Sequence, residues 1–155
     1  MLLKVFLIFA LILKLCSSIS SEVTIKLGTI RGALKTYNGK KVNEFLGIPY
    51  AKPPVGELRF KKPQPLSEAW KEDLIADQWP NVCAQSDLFG MKKFNAANES
   101  EDCLYLNIWT PGNLEETIVE PKAVLVYIHG GCFLEGTSSM EMLNGTTLAA
   151  KGDIV

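Results

Sequence analysis

The sequence predicts an α/β protein seen from its N-terminal end: a small antiparallel meander followed by the first strands of a mixed central sheet. Three observations carry this. Alternation of apolar and polar residues begins at Val23 and returns after an Asn38-Gly39 pair. The stretch Ala123–Ile128 has almost no polar surface, the pattern of a strand covered on both faces within an α/β sheet. The chain ends on Ile154-Val155, at the opening of another strand, with no long amphipathic helix to cover the sheet it has begun. The expectation is the N-terminal piece of a larger domain.

Residues 1–20 read as a secretory signal peptide. Lys4 precedes an unbroken apolar run from Val5 to Leu13, and the small residues Ser17, Ser18, Ser20 and Ser21 follow Lys14. Nine apolar residues at about 1.5 Å each are too short to cross a ~30 Å hydrocarbon core. Cleavage fits after Ser18 or after Ser20, which makes residues 21–155 the body of the domain. Secretion is the expected localisation.

The body opens with short strands. Val23–Leu27 alternates, Gly28 interrupts, Ile30–Leu34 resumes, and Val42–Phe45 returns after the hairpin signal. Gly47–Gly56 carries Pro49, Pro53 and Pro54 between aromatic residues, so a packed, rigid loop is expected. Leu104–Trp109 is a strand closed by Thr110-Pro111-Gly112. Thr146–Lys151 supplies one or two helical turns, and Gly152–Val155 opens the last strand. Trp70 and Trp79 read as packing residues.

Charge and cysteine content narrow the function classes. Sixteen basic and seventeen acidic side chains give a net charge of −1, with no cationic excess to bind nucleic acid. Cys83 and Cys103 lie twenty residues apart around a polar stretch. A bridge between them would contribute roughly 3 kcal/mol, and oxidising compartments favour such bridges. Cys132 is left over, and its neighbours read it as a buried small residue. No cysteine pair has zinc-site spacing and His129 is the single histidine, so neither a metal nor another cofactor is expected. Asn98-Glu99-Ser100 and Asn144-Gly145-Thr146 are glycosylation sequons, the first in the polar loop.

Where the apolar strand runs into His129-Gly130-Gly131-Cys132-Phe133, glycines let the backbone turn sharply and let its amides face a developing negative charge. On these residues alone a plain strand-terminating turn is the simpler reading. Three blocks change that. Phe45–Phe60 (FLGIPYAKPPVGELRF) resembles the N-terminal hallmark of the type B carboxylesterases, the cholinesterase-like branch of the α/β-hydrolases. Glu101–Trp109 (EDCLYLNIW) is similar to that family's second signature, and Val126–Gly131 (VYIHGG) to its oxyanion strand and turn. The blocks stand in family order and the likeness runs from about Glu22 to Val155.

The resemblance implies an incomplete α/β-hydrolase fold. It also implies a disulfide between Cys83 and Cys103, and a structural ion pair between Arg59 and Glu101. The amides of Gly131 and Cys132 become oxyanion donors, with Gly130 shaping the turn. Cys132 departs from the pattern, standing where the family has a third glycine. His129 becomes a structural residue of the motif. No G-x-S-x-G elbow occurs in the chain, and the family's nucleophile, acid and base all follow this region. The residues given therefore imply part of a secreted serine esterase that is inactive without the rest. The competing expectation is a catalytically silent cholinesterase-like adhesion domain. The substrate expected is a small carboxylic ester of general or lipid-like kind. Choline-ester relatives carry a tryptophan in the first disulfide loop, where this chain has only Phe89 and Phe94 as aromatics.

Overall fold

The computed structural model describes residues 20–88, 90, 97–112, 114 and 121–155. Residues 1–19 of the leader, and Phe89 and Phe94 of the disulfide loop, lie outside the described residues. Most of the strand residues among the described residues belong to one antiparallel meander. It comprises β1 (Ser20–Ile25), β2 (Gly28–Tyr37) and β3 (Lys40–Pro49), closed by β7 (Tyr105–Pro111) in the order β1-β2-β3-β7. Three short strands intervene in sequence: β4 (Leu74–Ile75), β5 (Val82–Cys83) and β6 (Glu99–Ser100). One helix, α1 (Thr146–Gly152), follows.

The hairpin at Asn38-Gly39 forms as its residues require. Both take positive φ, 48° and 79°, the backbone of a turn whose twist matches the strands it joins. Its register pairs Tyr37 with Lys40 and Ala33 with Glu44. Beyond that point β2 and β3 splay apart and β4 fills the gap. β4 runs parallel to β2 through Ile30↔Leu74, and Leu46 N–H donates to Ala76 O at 2.8 Å from the other side.

β3 is covered on both faces, which its alternating sequence did not predict. On one face Ile30, Phe45, Ile48 and Ala76 form a buried cluster with Trp70, Leu74 and Leu106 against it. On the other, Val42 packs under Ala149 and Ala150 of α1, flanked by Tyr37 and Trp109. The rings of Trp79 and Trp109 sit 6.1 Å apart. Two polar residues are buried with the strand and fully engaged. Asn43 accepts from Ser21 Oγ (2.7 Å) and donates to Gly112 O (3.0 Å). Glu44 accepts from the Trp109 indole N–H (2.9 Å) and pairs with Lys35 Nζ (3.3 Å).

Three sequence expectations need correction. The proline loop does not begin at Gly47: β3 continues to Pro49, with a register shift between Phe45 and Ile48. Gly47 absorbs that bulge at φ +77°, its N–H donating to Asn107 Oδ1 at 2.9 Å. Pro49 and Pro111 occupy strand ends, where a missing N–H costs the ladder little.

The second correction concerns Ala123–Ile128, which is exposed rather than buried: Val126 is 76% and Ile128 84% accessible. Its pairing begins only at the chain's last residue. Leu125 N–H donates to Val155 O (2.8 Å) and Val155 N–H to Ala123 O (2.9 Å), the pattern of a parallel ladder at its first rung. No described element lies over either face, so its apolar character has nothing to bury against. Third, Gly152 belongs to α1 rather than to a strand. Asp153 ends the helix in the left-handed conformation (φ 53°), its N–H donating to Ala149 O.

Candidate functional site

The site is the turn after Ile128. Its ends are held by two kinds of bond. Within the turn, Gly131 O accepts from both Leu134 N–H (2.9 Å) and Glu135 N–H (3.2 Å), closing a tight loop. His129 Nδ1 lies 2.8 Å from Gly130 O, and because a carbonyl only accepts, Nδ1 carries the proton. His129 thereby braces the turn's first carbonyl.

Gly131 cannot be replaced without moving the backbone. Its φ is +125°, and a Cβ there would stand 1.7 Å from Glu135 O. Gly130 is different: its φ is outside the left-handed range and a Cβ would meet nothing within 4 Å. Positive φ in the turn falls at Gly131 and the two residues after it. Cys132 (φ 55°) and Phe133 (φ 59°) both occupy the left-handed region, which costs a residue with a Cβ about 1–2 kcal/mol. Cys132 is a free, exposed thiol, against the expectation that it would be buried. The consecutive left-handed residues carry its side chain and that of Phe133 out to the surface, away from any described packing partner.

Among the described residues, neither the Gly131 nor the Cys132 N–H has a protein acceptor. The downstream limb of the turn is tied instead to β7 and to the segments on either side of β5. Gly136 N–H donates to Gln85 Oε1 (2.7 Å). Ser138 O accepts from Asn107 Nδ2 (3.0 Å), and Ser139 Oγ donates to Pro80 O (2.7 Å). Glu135, Thr137 and Ser139 are buried.

The remaining site residues frame this turn. Cys83 and Cys103 are joined by a disulfide. Arg59 Nη2 donates to Glu101 Oε2 at 2.5 Å, connecting the proline loop to the segment beside Cys103. Both side chains are about half exposed, so the pair contributes at most about 1 kcal/mol. Next to it, the Tyr105 hydroxyl donates to Asp102 Oδ1 (2.8 Å). Burial first, and then that bond, push its pKa up to about 12. Asn98 is exposed. Asn144 is not: its Oδ1 accepts from Thr146 N–H (2.9 Å) at the start of α1, and its Nδ2 donates to Glu44 Oε2.

An open hollow of about 670 Å³ lies between β3 and α1, lined by Lys35, Glu44, Asp77, Trp79, Glu141 and Asn144 among others, with no residue of the 129–136 turn. Among the described residues, no group of three acids, histidines or cysteines could hold a metal ion, and no helix is long and apolar enough to cross a membrane. Sequence reasoning missed Gln85, Asn107 and Asn43. Each acts through two or more polar contacts to groups distant in sequence and has no local pattern to betray it.

The family model described as "Carboxylesterase family" matches residues 19–155. The acetylcholinesterase of Leptinotarsa decemlineata is 41% identical over 143 residues, covering 83% of this chain and 23% of that protein. The cholinesterase of Mus musculus is 44% identical over 136 residues, covering 82% and 21%. The para-nitrobenzyl esterase of Bacillus subtilis (strain 168) is 41% identical over 134 residues, covering 86% and 26%. The chain therefore spans about a quarter of the length of these relatives. It belongs to the carboxylesterase family.

Proposed function

We propose that these residues form the N-terminal part of a secreted serine hydrolase of carboxylic esters, in which Gly131 and Cys132 supply two of the oxyanion-hole amides. The observation that carries this is the contrast within one turn. The carbonyls of Gly130 and Gly131 and both backbone groups of Gly136 are bonded within the turn or to Gln85, while among the described residues the N–H groups from Gly130 to Phe133, those of Gly131 and Cys132 included, have no protein acceptor. Unpaired amides on a rigid turn are what a tetrahedral intermediate's O⁻ requires. In the complete protein a serine attacks the ester carbonyl, a histidine takes its proton, and the acyl-enzyme is hydrolysed by water; those groups are supplied by residues outside this chain. On its own this stretch hydrolyses nothing at an enzymatic rate.

The exposed apolar stretch Ala123–Ile128 becomes an interior strand of the α/β-hydrolase sheet when the rest of the protein pairs with it and covers it. Residues 1–20 direct the chain to the secretory pathway, and the disulfide suits that compartment. Of the two sequons, Asn98 is the glycosylated one, because the amide nitrogen of Asn144 is held against Glu44. The substrate is a general or lipid-like ester rather than a choline ester.

The second reading, a silent adhesion domain, is favoured by one observation: the cysteine in left-handed conformation at the third position of the turn. The deciding experiment uses the full-length product secreted from cultured cells. A fluorophosphonate probe is expected to label one serine, and p-nitrophenyl butyrate to be turned over in preference to acetylthiocholine. Absence of both labelling and turnover in folded protein refutes the hydrolase reading; preferred acetylthiocholine turnover refutes the substrate assignment.

A further inference from the structure

We propose that Gln85 is a positioning residue for the oxyanion turn, coupling its orientation to the Cys83–Cys103 disulfide loop. This rests on the ester-hydrolase reading of the same turn. The bonds inside the turn close it upon itself, but they do not fix how it stands against the rest of the protein. The attachment nearest the turn falls at Gly136, ahead of those at Ser138 and Ser139, and one side chain makes it at two points. Gln85 Oε1 accepts the Gly136 N–H at 2.7 Å, and Gln85 Nε2 donates to Gly136 O at 3.0 Å. Two parallel bonds from a planar amide fix direction as well as distance. The same Nε2 donates its second hydrogen to Cys83 O at 2.9 Å.

The amide's orientation is therefore determined. Rotating it by half a turn would set an NH₂ against the Gly136 N–H and an oxygen against two carbonyls. Both Nε2 hydrogens and the acceptor are committed to backbone groups, one of them belonging to a disulfide cysteine. His129 and Gly130 O lie against the same glycine. A Cβ at Gly136 would stand 2.5 Å from each, so movement of Gly136 is passed directly to the residues that enter the turn. Gln85 touches no reacting atom and acts through Gly136.

The test uses the full-length secreted protein and the near-isosteric, non-bonding variant Gln85→Met, with Gln85→Glu as a second. Gln85→Glu keeps the acceptor for Gly136 N–H but sets a carboxylate oxygen against two carbonyls. Three measurements are made: hydrogen exchange of residues 131–136, kcat and KM on p-nitrophenyl butyrate, and the inhibition constant of an alkyl trifluoromethyl ketone, which places an oxyanion in the turn. Exchange is expected to accelerate about tenfold or more. kcat should fall about ten- to a hundredfold with KM within about twofold, as for a donor displaced by a fraction of an ångström. The ketone should weaken by the same factor as kcat/KM. Reducing the disulfide under native conditions should loosen 131–136 in the wild type and add little in Gln85→Met.

Unchanged exchange and unchanged ketone affinity in Gln85→Met overturn the proposal. So does a parallel loss in KM, kcat and global stability, which would mark an ordinary structural contact. If the wild-type protein turns over no ester, the hydrolase reading fails by itself, and exchange at 131–136 with and without the disulfide still decides whether Gln85 couples the two.

Discussion

Replacing Gly131 with alanine separates a functional turn from a merely tolerated one, because Gly130 beside it serves as an internal control. At Gly131 the added methyl would stand 1.7 Å from Glu135 O and 2.7 Å from its carbon, at φ +125°. Such a backbone angle alone costs a residue with a Cβ about 1–3 kcal/mol. The steric conflict is relieved only by moving residue 135 away, which breaks the two bonds to Gly131 O, each worth about 1 kcal/mol net. Together this is about 3–5 kcal/mol, more than a surface turn withstands, so the turn opens while the meander stays folded. With its amides no longer fixed, kcat on p-nitrophenyl butyrate in the full-length protein should fall by about 10²–10³, the cost of losing an oxyanion donor. Gly130→Ala, with no neighbour within 4 Å, should leave Tm unchanged and cost far less in kcat. Equal effects of the two substitutions, or a Gly131→Ala enzyme within twofold of wild type, would refute the argument.

Three further outcomes follow from the geometry. The Tyr105 pKa is raised from 10.0 to about 12 in the folded state, so its neutral form is the one the fold favours. The resulting stability is fully present below pH 10 and lost as pH rises from 10 toward 12. Alkaline denaturation should show this slope, and Tyr105→Phe should flatten it. At Glu44, which is 4% exposed, Glu44→Gln keeps an acceptor for the Trp109 indole and should cost about 1–2 kcal/mol. Glu44→Ala strands that donor and should cost about 3–5 kcal/mol in urea titration. Cys132→Gly relieves a left-handed residue but loosens the unfolded chain, so stability should rise by no more than about 1 kcal/mol. It also keeps the same amide, so kcat should stay within a few-fold. A hundredfold gain would mean that the cysteine side chain obstructs the site.

The parts of the fold legible in the sequence are those whose cause is local. Asn38-Gly39 specifies a turn through its own backbone preferences, and the strands on either side follow from alternation. Double burial of β3 was not legible, because it depends on Ala149 and Ala150 arriving more than a hundred residues later, and a strand's own pattern does not say what will cover it. Nor was β4: two residues in a polar stretch become a strand only because β2 and β3 splay and leave backbone groups to satisfy. At the site, the Gly-Gly pair announced a sharp turn, but which glycine bends it depends on where Glu135 O comes to lie. Gln85 carried no signal at all in sequence, sitting among polar residues of a loop.

The distribution of polar contacts around the turn argues for its role more strongly than the glycines do. A turn that only ends a strand needs its backbone groups satisfied by any nearby partner, and water serves as well as protein. Here the described partners are divided by position. Residues 136–139 are tied to Gln85 in the disulfide loop, to Asn107 on β7 and to Pro80 between β4 and β5. The residues between, Gly131 to Phe133, take positive φ, and among the described residues none of their three N–H groups has a protein acceptor. Strain in the arch beside strong anchoring at its foot is the arrangement that holds donors in place when charge develops, because the reorganisation was completed during folding.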